Sequence, residues 1–281
     1  MSSANAVETD RDRESRKPSA VQAPLSVCII TRNEERNLPR CLKSVDGLAA
    51  EVVVVDSLSE DRTCEIASNA GAVVRRQEFL GYERQKQLAL EMATGEWILC
   101  LDADEWLDPS LREAIAAVLR NPSPGIEGYQ VNRRPYYLGR WMDHGGWSPD
   151  WKLRLVRRGC GRWTGGDPHE HLETTGEMRR LPGRLNHFPY RDLSAHVSTI
   201  DAYSSLAVAS RPAVALPRAL FGILLEPPLV FLKEFILLGG FMDGLRGFIA
   251  ASVSAFDVFL KYAKHWERQH GKSSESDLDE S

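Results

Sequence analysis

Four short apolar runs near the start of this chain, 25–31, 51–56, 72–76 and 97–102, constrain its fold more than any other feature. Each has the length of a strand, and the stretches between them have the length of one helix, which is the rhythm of βαβ units and a parallel sheet. Such runs predict strands buried on both faces. Between the first two, Leu38, Cys41, Leu42 and Val45 fall at helical spacing, and Cys64, Ile66 and Ala67 follow the second run similarly. After the fourth, Asp108 and Pro109 supply an N-cap and a first-turn proline ahead of Leu111, Ile115, Val118 and Leu119. Residues 25–108 thus predict a doubly wound α/β half-domain whose ligand site lies beyond the C-terminal strand ends.

Composition narrows the class. With 281 residues, 43% hydrophobic and 26% charged, the chain can bury one α/β core plus an appendage. A net charge of −4 gives no global attraction to nucleic acid, which is not expected as a partner. Five widely spaced cysteines, with no CxxC, predict reduced thiols in a cytoplasmic protein. Residues 1–24 lack an apolar core and predict a disordered tail, not a signal peptide; the acidic end, 269–281, predicts another.

The first strand runs into Thr31, Arg32, Asn33 and Glu34 with neither G-x-G-x-x-G nor G-x-x-x-x-G-K, so dinucleotide-binding and P-loop chemistry lose their motifs. The second ends in Asp56-Ser57 and the fourth in Asp102-Ala103-Asp104. Residues two apart on an extended strand face the same way, so Asp102 and Asp104 can converge on one ligand. Two carboxylates there suit Mg²⁺ or Mn²⁺ bridging a diphosphate, and their mutual repulsion calls for a cation.

The ordered set Ser26 to Glu34, Val53-Val54-Val55-Asp56-Ser57 and Gly95 to Glu105 resembles the family-2 glycosyltransferases of the GT-A fold. Asp150 to Gly159, His169-Glu170 and Asn186 to Arg191 are similar to the lipopolysaccharide-core β-glucosyltransferase branch. The resemblance implies a GT-A catalytic domain at 25–200, with a nucleotide-binding half at 25–108 and an acceptor half at 109–200, followed by a helical region at 201–268. It implies that Asp56 accepts from the uracil N3–H, that Thr31, Asn33 and Glu34 wrap base and ribose, and that Arg154 belongs to the donor site. Asp102 then meets the ribose or the metal's water shell, Asp104 binds the metal, and His187 completes the metal shell or is a structural histidine. For Asp56 the residues alone also allow a helix cap or an Asx-turn.

Inverting transfer needs a carboxylate to take the acceptor hydroxyl's proton as that oxygen attacks the anomeric carbon opposite the leaving diphosphate. The candidates are Asp167, Glu170 and Glu173, and the resemblance favours Glu170, although His169-Glu170 departs from the commoner Glu-Asp pair. Between residues 131 and 162 eight basic residues, among them Arg133, Arg134 and Arg154, face only Asp143 and Asp150. Trp141, Trp147, Trp151 and Trp163 offer flat faces for sugar rings nearby. The set is expected to hold a diphosphate and an anionic acceptor, or else to be a solvated edge with core tryptophans.

From 214 to 260 apolar residues recur on helical faces, but Arg218, Glu226, Pro227, Pro228, Lys233 and Glu234 interrupt every run short of the ~18–20 residues a span requires. Two readings stand: helices packed on the catalytic domain or in a homo-oligomer, and a monotopic surface for an anionic membrane. The expectation is a cytoplasmic enzyme, peripheral on the inner membrane, moving a hexose from UDP-glucose to a saccharide or lipid-linked saccharide acceptor. A haloacid-dehalogenase-like phosphatase also sets D-x-D after a strand, but expects Thr or Val where Trp106 stands. A nucleotidyltransferase would need a basic Gly-rich first loop, and a non-catalytic glycan-binding or scaffold protein is separated only by activity.

Overall fold

The computed structural model describes residues 24–167, 169–209 and 215–270. The expected tails lie outside them apart from Pro24, which precedes the first strand, and Gln269 and His270, which are helical. Strands β1 (Leu25–Thr31), β2 (Glu51–Asp56), β3 (Val73–Arg76) and β4 (Trp97–Asp102) pair in parallel in the order β3-β2-β1-β4. Helices α1 (Leu38–Val45), α2 (Thr63–Asn69) and α3 (Tyr82–Met92) connect them. Strand alternation divides the core in two. Val27, Ile29, Val54, Leu99 and Leu101 pack with α1 on one face, while Cys28, Val53, Val55, Ile98 and Cys100 pack with Ala89 and Leu90 of α3 on the other. The exception is β3, which is mostly exposed because it ends the sheet.

Beyond β4 come β5 (Glu105–Leu107) and α4 (Pro109–Arg120), whose N-cap Asp108 accepts from the Leu111 N–H at 2.7 Å. Next are β6 (Ile126–Tyr137), β7 (Arg140–Trp141), β8 (Asp150–Arg157), β9 (Gly161–Thr164), β10 (His171–Thr174), β11 (Glu177–Arg180) and β12 (Leu185–His187). Here the sheet becomes mixed: β8 runs antiparallel to both β4 and β6, and β12 lies between β6 and β5. This order carries β12 and β8 to the ends of β4 and β1, where the aspartates stand.

The helical region begins at 193, earlier than the expected 201: α5 (Leu193–Ala209), α6 (Leu216–Leu224), α7 (Glu226–Leu232) and α8 (Leu245–His270). Between α7 and α8 the chain makes a π turn, Lys233–Leu237, and a 3₁₀ turn, Gly240–Asp243. Tyr137 and Met142 of the β6–β7 hairpin pack on Ala250 of α8. A Cβ at Gly247 would collide with the Gly240 carbonyl, so glycine there lets the turn sit against α8. Among the described residues no helix is long and apolar enough to cross a membrane.

Candidate active site

A cleft of about 1240 Å³ opens where β1, β4, β8 and β12 end. Thr31, Arg32 and Glu34 line one end of it, Asp102, Asp104, Arg154 and His187 its centre, and Trp151, Trp163 and Glu170 the far side.

The loop after β1 is shaped by backbone constraint. Asn33 has a positive φ of 56°; its N–H donates to Ser59 Oγ at 2.8 Å and its Oδ1 accepts from the Glu60 N–H at 2.9 Å. These bonds turn Asn33 onto the loop after β2 and leave Glu34 facing the cleft. Burial, opposed by a hydrogen bond from Asn37 and aided by nearby Asp104, Asp61 and Asp102, raises Glu34's pKa to about 7.

Asp56 departs from expectation. Its side chain is fully buried and absent from the cleft wall. One oxygen accepts from the Ser59 N–H at 2.8 Å, and the other from the hydroxyls of Thr31, also at 2.8 Å, and Ser59. Burial alone would raise its pKa, but the Ser59 and other hydrogen bonds outweigh that and lower it. The Asx-type alternative therefore describes Asp56: it fastens two strand ends, and the neighbouring Ser57 takes its place at the cleft, held by Gln85 Nε2 at 3.0 Å.

Buried ion pairs form the centre. Asp102 Oδ1 lies 2.9 Å from Lys86 Nζ and Oδ2 lies 2.9 Å from Arg154, which is 2.6 Å from the fully buried Glu105. Arg133 links Glu105, at 3.5 Å, to Asp150, at 2.8 Å. Burial works against the charges of Lys86, Arg133, Arg154 and Asp102, and their partners win: Lys86, Arg133 and Arg154 are held above their ordinary pKa values and Asp102 well below the carboxylate range. Such pairs fix geometry more than they add stability, because desolvation offsets most of the attraction.

Asp102, with both oxygens taken, differs from Asp104. The Asp104 carboxylate stands 3.3 Å from His187 Nε2, and its carbonyl accepts from the Phe188 N–H at 3.0 Å, which clamps the end of β12 to the D-x-D turn. The Asp102 carboxylate is thus held by two cationic side chains, while Asp104 and His187 offer an oxygen and a nitrogen suited to a hard or borderline cation. No cluster of three His, Cys, Asp or Glu ligands occurs among the described residues. Two protein ligands, with the rest from phosphate and water, are how Mg²⁺ is commonly held.

On the far side Glu170 Oε1 accepts from Lys86 Nζ at 3.0 Å, so one ammonium ties Asp102 to Glu170. Lys86 also lies 4.8 Å over the Trp163 ring. Asp167 is not brought to the cleft wall: its two oxygens accept from the N–H groups of Tyr82, at 2.8 Å, and Glu83, at 3.0 Å, and cap α3. Gly81 precedes that helix at φ 93°, where a Cβ would stand 2.6 Å from the Asp167 carboxylate. Glu173 pairs with His171 at 2.7 Å on the exposed rim. Of the four tryptophans, Trp151 and Trp163 line the cleft, Trp147 packs on Tyr137 and His196, and Trp141 packs on Trp106 and Tyr136. Arg133, Lys152 and Arg154 reach the cleft; Arg134 pairs with Asp143, and Arg157 with Glu96. Lys86 is a charged cleft residue that sequence reasoning missed: it sits in Gln85-Lys86-Gln87, which reads as a solvated helix face.

Residues 26–172 match the model for glycosyl transferase family 2. The lipopolysaccharide core biosynthesis glycosyltransferase LpsC of Rhizobium meliloti is 34% identical over 269 residues, covering 92% of this chain and 97% of its own length. An uncharacterized glycosyltransferase of Rickettsia prowazekii is 28% identical over 250 residues, covering 85% and 86%. The glucosyl-3-phosphoglycerate synthase of Mycobacterium tuberculosis, solved with Mn²⁺, UDP and glucosyl-3-phosphoglycerate, matches 42% of this chain and 45% of its own at 25% identity. Its TM-score of 0.33 is too low to add to the assignment. The D-x-D turn at the mouth of a half-parallel sheet, the family match over more than half the chain and the near full-length kinship with LpsC agree: this chain is a glycosyltransferase of the GT-A fold and belongs to glycosyl transferase family 2.

Proposed function

We propose that the chain transfers a hexose, glucose from UDP-glucose, with inversion to a saccharide of the lipopolysaccharide core or another lipid-linked saccharide, using Mg²⁺ or Mn²⁺. One observation carries the reading: a single cleft is lined by the Asp104–His187 pair and by Glu170, whose carboxylate shares the Lys86 ammonium with Asp102 of the D-x-D turn. The relationship to LpsC supports the acceptor class. That acceptor places the enzyme peripherally at the cytoplasmic face of the inner membrane.

Thr31, Arg32, Glu34 and Ser57 form the end of the cleft that receives the nucleoside, with Asp56 and Asn33 fixing the loops from behind. Arg154 sets Asp102 toward the ribose. Asp104 and His187 would hold the cation, which supplies positive charge to the departing diphosphate. Glu170 has one oxygen on Lys86 and gives the other to the acceptor hydroxyl. As Glu170 takes that proton, the acceptor oxygen bonds to the anomeric carbon and the bond to the diphosphate oxygen breaks, releasing UDP. Trp151 and Trp163 provide apolar faces for the acceptor rings.

A thermal-shift series tests the reading. UDP-glucose with Mn²⁺ should raise the melting temperature more than either alone, because a ligand that binds only the folded state stabilises it. Asp104→Asn should remain folded and lose the metal-dependent part of the shift together with most turnover. A full shift in EDTA, or undiminished turnover in the variant, overturns the metal assignment.

A further inference from the structure

The helices after α5 are arranged inside out. Within the nine residues from Leu237 to Leu245, Leu237 is 79%, Leu245 71%, Met242 61%, Phe241 54% and Leu238 45% exposed. The charged groups nearby point the other way. Asp243 accepts from the N–H groups of Asp143 and His144 and lies 3.1 Å from His144 Nδ1. Glu234 is turned onto Gly146, where a Cβ would stand 2.6 Å from its Oε1. These are the only two acids in 227–256, so no carboxylate in that stretch is directed away from the body; the cation Lys233 stands exposed beside the turn, while Arg246 donates from Nε to the Leu138 carbonyl at 2.8 Å. A solvated turn shows the reverse arrangement.

We propose that the turn from Leu237 to Leu245 is a wedge that enters a lipid monolayer, with Lys233 at the phosphate level. This deepens the membrane part of the proposed function by naming the inserting segment, and it would stand for any chemistry in the cleft. Three features favour lipid over a second copy of the chain. Five large side chains so exposed within nine residues, two of them between glycines Gly239 and Gly244 at φ 74° and 63° and three flanking these, make a convex tip. A two-fold contact would set that tip against itself and bury little, whereas lipid deforms around it. The surface also lacks outward carboxylates and carries the exposed Lys233, which complements anionic headgroups. A wedge of this kind lies about 5–10 Å deep and does not span.

The test uses the full-length protein with vesicles of phosphatidylethanolamine and phosphatidylglycerol, without nucleotide sugar. Wild type should co-sediment at low salt, lose only part of its binding at high salt, and be released by mild detergent. Leu237→Ser combined with Leu245→Ser should lower vesicle partitioning on the order of ten-fold or more. These side chains are chosen because they are exposed; Phe231 and Phe235 stack on each other at 5.4 Å and against Phe248, so their replacement would disturb the layer itself. Met242→Trp should gain a blue-shifted emission component quenched by brominated lipid. Wild type left in the supernatant, unchanged partitioning of the double variant, or a concentration-dependent dimer that the double variant dissolves would overturn the proposal. Hydrolysis of UDP-glucose measured on the same samples keeps a failure of the wedge separate from a failure of the transferase reading.

Discussion

In the α/β body, Asp56, Glu105 and Arg154 are at most 4% exposed, whereas in the helical layer Leu237, Met242 and Leu245 are at least 61% exposed. The first region buries charge and the second exposes apolar surface, so each departs from the ordinary partition in the opposite sense. In the body the departure is compensated inside the fold: Asp56 is satisfied by hydrogen bonds from Thr31 and Ser59, and ion pairs lead from Asp150 through Arg133, Glu105, Arg154, Asp102 and Lys86 to Glu170. In the layer the compensating surface does not lie within the described residues. Buried charge without a solvent role marks a preorganised site, and exposed apolar surface on a convex turn marks a contact.

The contrast breaks most easily at Glu170, where the largest effect is expected. Glu170→Gln keeps the size of the side chain and a hydrogen-bonding oxygen for Lys86 but cannot take a proton. Turnover should fall on the order of 10²–10⁴-fold while the shift produced by UDP-glucose and Mn²⁺ survives. Steady-state UDP release and the melting shift on one preparation check this. Loss of both would mean that the Lys86–Glu170 pair holds the cleft together and that its carboxylate is structural.

The seam between the two regions gives the next effect. His196 of α5 is 3% exposed, shares a hydrogen bond with the Tyr137 hydroxyl through Nδ1 at 2.9 Å, and stacks on Tyr190 at 3.9 Å. Burial lowers its pKa from 6.5 to about 4. Between those values the unfolded chain binds a proton that the folded chain refuses, so stability falls as pH drops through this window and levels off below about 4. From pH 7 to pH 5 the loss due to this ring should be about 2 kcal/mol. Urea unfolding at both values should show that increment in wild type and not in His196→Gln. Equal losses in the two proteins would show a solvated imidazole and a looser seam.

Legibility in the sequence followed the range of the contacts. The four strands were readable because apolar runs and helix-length gaps are local, and the Asp108 cap because donor and acceptor are three residues apart. The D-x-D turn was readable as chemistry because its two carboxylates are neighbours. Asp56 carried two readings because its type and strand-end position suit ligand and Asx-turn alike, and its bond from Thr31 of β1, 25 residues away, is not written in the local sequence. Lys86 was invisible: its two partners are 16 and 84 residues away, and its sequence neighbours are polar. The eight basic residues that read as one positive field lie on several faces, because the mixed sheet alternates their side chains in a way that charge counting does not follow. The outward turn of the helical layer was half readable, as an apolar stretch whose covering the sequence left open.

The smallest expected effect separates two carboxylates only three residues apart, Asp167 and Glu170. Asp167 spans 84 residues or more to reach the start of α3, where its oxygens accept the Tyr82 and Glu83 N–H groups, and Gly81 leaves room for it. Removing such a cap frees two helix-terminal donors to water, since the site is exposed, and Asp167→Ala should lower stability by about 1 kcal/mol. Its influence on turnover should be only a few-fold, because Lys86 lies one turn further along α3 and would shift slightly with a frayed first turn. Asp167→Asn retains an acceptor oxygen and should recover most of the stability. Urea unfolding and turnover per folded molecule decide the matter together. A loss of turnover in Asp167→Ala comparable to that of Glu170→Gln, at unchanged stability, would move the base to Asp167 and make its place on α3 a resting position.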